Sequence, residues 1–216
     1  MTNFQSRICF GFAPAMLFPK SFEDPYQHFA AIQTCCHNTP YESFETFLPE
    51  DESMRKLCIQ SMRKNEIKLH YNAPGIFQID GEFNPCSENP EYRKNALNLA
   101  KKHICYAAEA ESPIIVFAAC PDKGIKKRPE LLKRFMEYFL ELAELCRTYH
   151  MEITIEPIER HRFKKLILGP FKDCADFMLE AQKNGAANAH LMIDTAHLPL
   201  MEESLETAIK ETQRAG

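Results

Sequence analysis

Two acidic side chains stand where runs of β-branched and apolar residues give out. Glu156 follows Ile153-Thr154-Ile155, and Asp194 follows Leu191-Met192-Ile193. A carboxylate after such a run points into the mouth of a strand-built scaffold or across the rim of its strand ends. Two carboxylates brought together there repel unless something positive lies between them, and a divalent cation is the usual answer. His197 stands three residues past Asp194 and faces the same place if the chain breaks into a turn. Two oxygens and an imidazole suit Mn²⁺, Mg²⁺, Co²⁺ or Zn²⁺, and the residue types do not choose among them. Blander readings stay open: Asp194 also suits a helix cap, and His197 a loop histidine bonded to backbone.

Other groups carry weaker signals. His70 closes a strand-like run, where a histidine is more often structural. Arg160, Lys164 and Lys165 follow Glu156 in a loop; they are solvated charges by default, or holders of anionic or hydroxyl groups of a small ligand. Cys120 has no neighbour in sequence to activate it as a nucleophile. The nine cysteines include no CxxC pair, and Cys58, Cys105 and Cys146 fall on apolar positions of helix-like runs. Reduced core thiols in a cytoplasmic protein are expected.

Strand-like runs that could position these groups start near Arg7, Tyr41, Ile67, Pro113, Glu152 and His190. Helix-like runs alternate with them. One opens at Glu50 or Asp51 and carries Met54, Leu57, Cys58 and Met62; Pro90 opens one with Ala96, Ala100, Ile104 and Ala107. Pro129 opens the clearest, with Leu132, Phe135, Met136, Phe139, Ala143 and Cys146 at spacings of three and four. Lys172–Lys183 and Glu202–Thr212 close the series. Strict β-then-α alternation predicts an α/β fold with a parallel sheet, a (β/α) TIM-type barrel of about six of the usual eight units. One domain over residues 1–216 is expected, cut at its C-terminal end after the sixth unit.

Composition narrows the partners. With 45% hydrophobic and 26% charged residues the chain is an ordinary globular one. A net charge of -4 gives no support for nucleic acid as a partner. The apolar run Ile8–Phe18 is short, holds a Gly and a Pro, and is a first strand with its exit loop, not a signal peptide. No membrane partner and a cytoplasmic location are expected.

The stretches ITIEPIERHRFKKLILGP and LMIDTAHLPL resemble the strand-five and strand-six signatures of the sugar phosphate isomerase/epimerase group in the xylose-isomerase-like superfamily. The resemblance is strongest from Ser112 to Pro199 and diffuse before it. It implies one divalent metal at the barrel mouth, held by Glu156 and Asp194, with His197 beside the substrate. It implies a sugar or sugar phosphate as substrate, and abstraction of a proton next to a carbonyl through an enediolate, with Glu156 as a proton-transfer group. His70, Arg160 and Lys164 are then candidates for substrate contact. Members of the group draw a further His from strand seven and a Glu from strand eight, which the six expected units do not supply. Glu159 stands where many relatives carry Asn or Asp.

Two rivals follow. An endonuclease IV-like zinc phosphodiesterase shares the superfamily, but Ala118-Ala119-Cys120 offers no strand-four histidine. A catalytically incomplete barrel with no activity of its own is the other. An uncovered sheet edge would favour self-association into a homo-oligomer.

Overall fold

The computed structural model describes residues 9–37, 40–72 and 81–216. Six strands alternate with helices along the chain: β1 Gly11–Phe12, α1 Pro14–Leu17, α2 Pro25–His37, β2 Ser43–Thr46, α3 Glu52–Lys64, β3 Lys68–Asn72, α4 Pro90–Glu109, β4 Ile114–Phe117, α5 Arg128–Thr148, β5 Glu152–Ile155, α6 Phe171–Lys183, β6 Ala189–Leu191, α7 Leu198–Met201 and α8 Leu205–Arg214. Each expected strand is present within its run, though Arg7, Ile8 and Ala73 lie outside the described residues. The chain divides into two compact units, residues 1–73 with 106–113, and residues 74–105 with 114–216.

In the first unit, β1, β2 and β3 pair in parallel in chain order, with Phe12 beside Phe44 and Glu45 beside His70. Helix α2 was not expected from the sequence. Asp24 starts it by accepting the backbone N–H groups of Tyr26 and Gln27 at 2.7 and 3.2 Å, and Pro25 supplies a preset first-turn φ. Asp51 caps α3 through the Met54 N–H at 2.9 Å. Met54, Cys58 and Met62 of α3 are buried as expected, but Leu57 is exposed: the buried stripe turns through Ile59 instead.

In the second unit, β4, β5 and β6 are likewise parallel and in chain order. Ile115, Val116 and Phe117 of β4 and Ile153, Thr154 and Ile155 of β5 are all buried. Burial of consecutive residues means that both faces of these strands are covered, as in a parallel sheet between helices. Helix α5 turns Phe135, Phe139 and Leu142 to the core. The rings of Phe135 and Phe139 lie 5.5 and 5.7 Å from Phe177 of α6. Leu132 and Met136 are only half-buried. With Phe177, Arg128, Arg160 and Asp173 they line a cavity of about 620 Å³ between α5 and α6. The last helix runs over Leu205–Arg214 instead of Glu202–Thr212, because the Ser204 side chain caps it through the Thr207 N–H at 3.1 Å.

Two cysteine expectations are corrected. Cys86 and Cys120, both buried, form a disulfide; the other seven are free. Cys105 is exposed, its thiol 3.8 Å from the Tyr149 hydroxyl. Among the described residues no helix is long and apolar enough to cross a membrane.

Candidate metal centre

The site is built by the residues just past β5 and β6. Backbone pairing continues one step beyond each strand: the Glu156 N–H donates to the Phe117 carbonyl at 2.9 Å, and the Met192 N–H to the Ile155 carbonyl at 3.0 Å. Side chains alternate faces along a strand, so Glu156 shares a face with Thr154, and both are buried. After Met192 the chain leaves its neighbour and turns. Asp194 nucleates the turn by accepting the Ala196 N–H at 2.8 Å, and the His197 N–H closes it on the Asp194 carbonyl at 3.2 Å. Asp194 is not the helix cap, since His197 holds the N-cap position of α7 and no side chain caps it; Oδ1 serves the turn while Oδ2 lies toward His197.

That turn brings His197 back over both carboxylates. Its Nε2 lies 3.4 Å from Glu156 Oε1 and 3.8 Å from Asp194 Oδ2. One ligand atom each from Glu156, Asp194 and His197 lies within 4.8 Å of the others. This donor set, two carboxylate oxygens and an imidazole nitrogen converging on one point, has the composition of a site for a divalent first-row metal or Mg²⁺. Burial pushes the Glu156 carboxyl above the usual range, with His197 pulling against it. Glu156 in turn holds the imidazole of His197 above its ordinary value, against the effect of burial.

Glu159 is the participant that sequence reasoning missed as a site residue. It is 1% exposed. Its Oε2 lies 2.9 Å from His197 Nδ1, and its Oε1 accepts the backbone N–H groups of Lys164 and Phe163 at 2.9 and 3.3 Å. Burial opposes the charge, but the N–H groups of Lys164 and of Glu159 itself, with His197, outweigh it and hold the carboxyl below the usual range. The loop doubles back to make this possible. The Leu166 N–H donates to the Glu159 carbonyl, and the Ile167 N–H to the Cys120 carbonyl at 2.9 Å, around an antiparallel bridge between Pro121 and Leu166. Gly169 lets the returning strand pass: a β-carbon there would stand 2.9 Å from the Arg160 nitrogen and 3.1 Å from the Ile158 oxygen.

The remaining candidates separate. Arg160, expected to contact substrate, has part of its guanidinium engaged elsewhere. It bonds the Ile167 carbonyl at 2.5 Å and pairs with Asp173 at 2.6 Å. It faces the cavity between α5 and α6, whose lining includes none of Glu156, Asp194 and His197. Lys164 gives its backbone N–H to Glu159 and leaves its side chain exposed. His70 belongs to the first unit, half-buried on β3, and burial lowers its imidazole below the ordinary value. Cys120, held in its disulfide, has no thiolate to offer.

Comparison with known proteins agrees with this architecture. No curated protein matches the chain. A D-psicose 3-epimerase from Clostridium cellulolyticum H10, crystallised with D-tagatose, superposes with a TM-score of 0.74 at 17% identity, over 95% of this chain and 70% of that one. A D-allulose 3-epimerase from Methylomonas sp. in complex with D-allulose gives 0.76 at 15%, over 95% and 69%. A 3-keto-D-glucoside 4-epimerase from E. coli gives 0.70 at 14%, over 94% and 75%. At such identities the likeness is one of fold, that of a (β/α) barrel, of which the described residues hold six strands against eight in a complete one. Residues 29–214 match the model of the xylose isomerase-like TIM barrel family, and the chain belongs to that family.

Proposed function

We propose that the protein is a metal-dependent isomerase or epimerase of a small sugar or sugar phosphate. The observation that carries this is the convergence of Glu156, Asp194 and His197 within 4.8 Å at the ends of two neighbouring strands. Fold neighbours that are sugar epimerases support it. Glu156 and Asp194 would hold one divalent ion, Mn²⁺, Mg²⁺, Co²⁺ or Zn²⁺, with His197 beside it. When bound, the ion supplies positive charge where a carbonyl and its neighbouring hydroxyl gain negative charge. Glu156 is the base: buried and held above the usual carboxylate range, it is suited to take a proton from the carbon next to a carbonyl and return it. The substrate passes through an enediolate. His197 and Lys164 are substrate-contact candidates, Lys164 through its exposed ammonium. Nucleic acid and membrane are not partners in this reading; the site works in the cytoplasm, in one domain and, we infer, in a homo-oligomer.

The test is proton exchange. Protein loaded with Mn²⁺ is incubated in D₂O with a panel of ketohexoses, pentuloses and their phosphates, and NMR follows deuterium entering beside the carbonyl. Exchange that is present in wild type and absent in Glu156→Gln supports the proposal. No exchange with any member of the panel refutes it for this chain and leaves the second reading, a barrel catalytically incomplete by itself. The chain spans 70% of the length of the first of the fold neighbours.

A further inference from the structure

We propose that Glu159 is a positioning residue that fixes which nitrogen of His197 carries hydrogen, so that Nε2 is the one turned to the ion. The inference rests on the metal-centre reading and adds to it a residue that does not touch substrate or ion.

The geometry leaves Glu159 little freedom. An ionised carboxylate only accepts hydrogen bonds, so the atom facing Oε2 at 2.9 Å, His197 Nδ1, is the donor. The carboxylate cannot swing aside, because Oε1 is held by the Lys164 and Phe163 N–H groups and the side chain is buried. With hydrogen fixed on Nδ1 in the neutral ring, the lone pair sits on Nε2, the nitrogen that faces Glu156 and Asp194. Such outer partners orient a metal-facing histidine and typically contribute about 10–100-fold to metal affinity.

Glutamine at this position is close in shape and should reverse the arrangement. Its single oxygen would be claimed by the two backbone N–H groups, which need an acceptor. Its NH₂ would then face Nδ1, which becomes the acceptor. The neutral ring takes its hydrogen on Nε2, and that hydrogen points at Glu156, where the ion would sit.

Two readouts test this on the full chain. The first is ¹⁵N NMR of the histidine ring in metal-free protein at a pH where the ring is neutral. Wild type should carry hydrogen on Nδ1 and Glu159→Gln on Nε2. The second is calorimetric titration with Mn²⁺ alone, where Glu159→Gln should bind about 10–100-fold more weakly. Wild type with hydrogen on Nε2 overturns the proposal without any variant. So does Glu159→Gln that keeps hydrogen on Nδ1, or that binds Mn²⁺ as wild type does while Asp194→Asn does not. If wild type binds no Mn²⁺, the metal reading fails, and the ring tautomer still decides the role of Glu159.

Discussion

Asp194→Asn separates a site made for a cation from a chance meeting of acids. The amide oxygen of Asn can accept the Ala196 N–H as Oδ1 of Asp194 does, so the turn survives and only the charge goes. In the metal-free protein Asp194 and Glu156 present oxygens within 4.8 Å. At that separation two unit charges repel by about 0.9 kcal/mol in water and about 3.5 kcal/mol at an effective dielectric of about 20. The Asp194 side chain is 36% exposed, so solvent screening puts the repulsion in the lower part of that range, about 1–2 kcal/mol. The variant without metal should therefore melt about 2–8 °C higher than wild type, at roughly 2–4 °C per kcal/mol for a chain this long. Free Mn²⁺ at about 100 times its Kd should stabilise wild type by about 2.7 kcal/mol, a rise of about 5–10 °C. The same concentration should leave Asp194→Asn nearly unmoved. Scanning calorimetry at about pH 8, alkaline of the ordinary histidine range, with chelator or with Mn²⁺, gives all four values. A metal-free variant less stable than wild type, together with equal Mn²⁺ shifts in both, would refute the reasoning.

Other outcomes are expected. His197 has its imidazole raised by Glu156, so its contribution to stability is full below the ordinary histidine value and is lost as pH rises through the raised one. Urea melts of metal-free protein across that window should show the loss, and His197→Gln should flatten it. The Cys86–Cys120 bridge closes a loop over a separation of 34 residues, worth about 3–4 kcal/mol in the chain-entropy account. Alkylation of the denatured protein should label seven cysteines before reduction and nine after, and the reduced protein should melt at lower temperature; nine labelled at the outset would remove the bridge. Phe139→Ala, at a fully buried ring between Phe135 and Phe177, should cost about 3–5 kcal/mol in chemical denaturation. A loss under about 1 kcal/mol there would mean that this core is not packed as described.

The parts of the fold most legible in the sequence are those with strong period. Ile153-Thr154-Ile155 and the three-and-four spacing of Phe135, Phe139 and Ala143 leave little choice of element. Helix α2 escaped because Phe29, Ala31, Ile32, Cys35 and Cys36 form a near-continuous apolar stretch without a clear polar face; the usable signal was Asp24-Pro25 at its start. The meeting of Glu156, Asp194 and His197 was legible because strand ends collect functional groups in this architecture. Glu159 was not, because its role depends on a loop that folds back on itself, and nothing in RHRFKKL announces that return. The pairing of Arg160 was hidden for the same reason: only the folded loop brings Asp173 to it. The bridge between Cys86 and Cys120 has no spacing signature, since it joins a loop before α4 to a strand end.

Gly169 turns that returning loop into a point of remote sensitivity. Any larger residue there would press on the backbone of Ile158 and Arg160, atoms that cannot step aside as a side-chain tip can. The displacement would be handed along the main chain to Glu159, the next residue before Arg160, and from there to the His197 ring it bonds. An alanine at Gly169 would thus shift the imidazole of His197 while Glu156, Asp194 and His197 all kept their chemical identity. A damaging change at this glycine would look from its effects like a lesion in the centre itself.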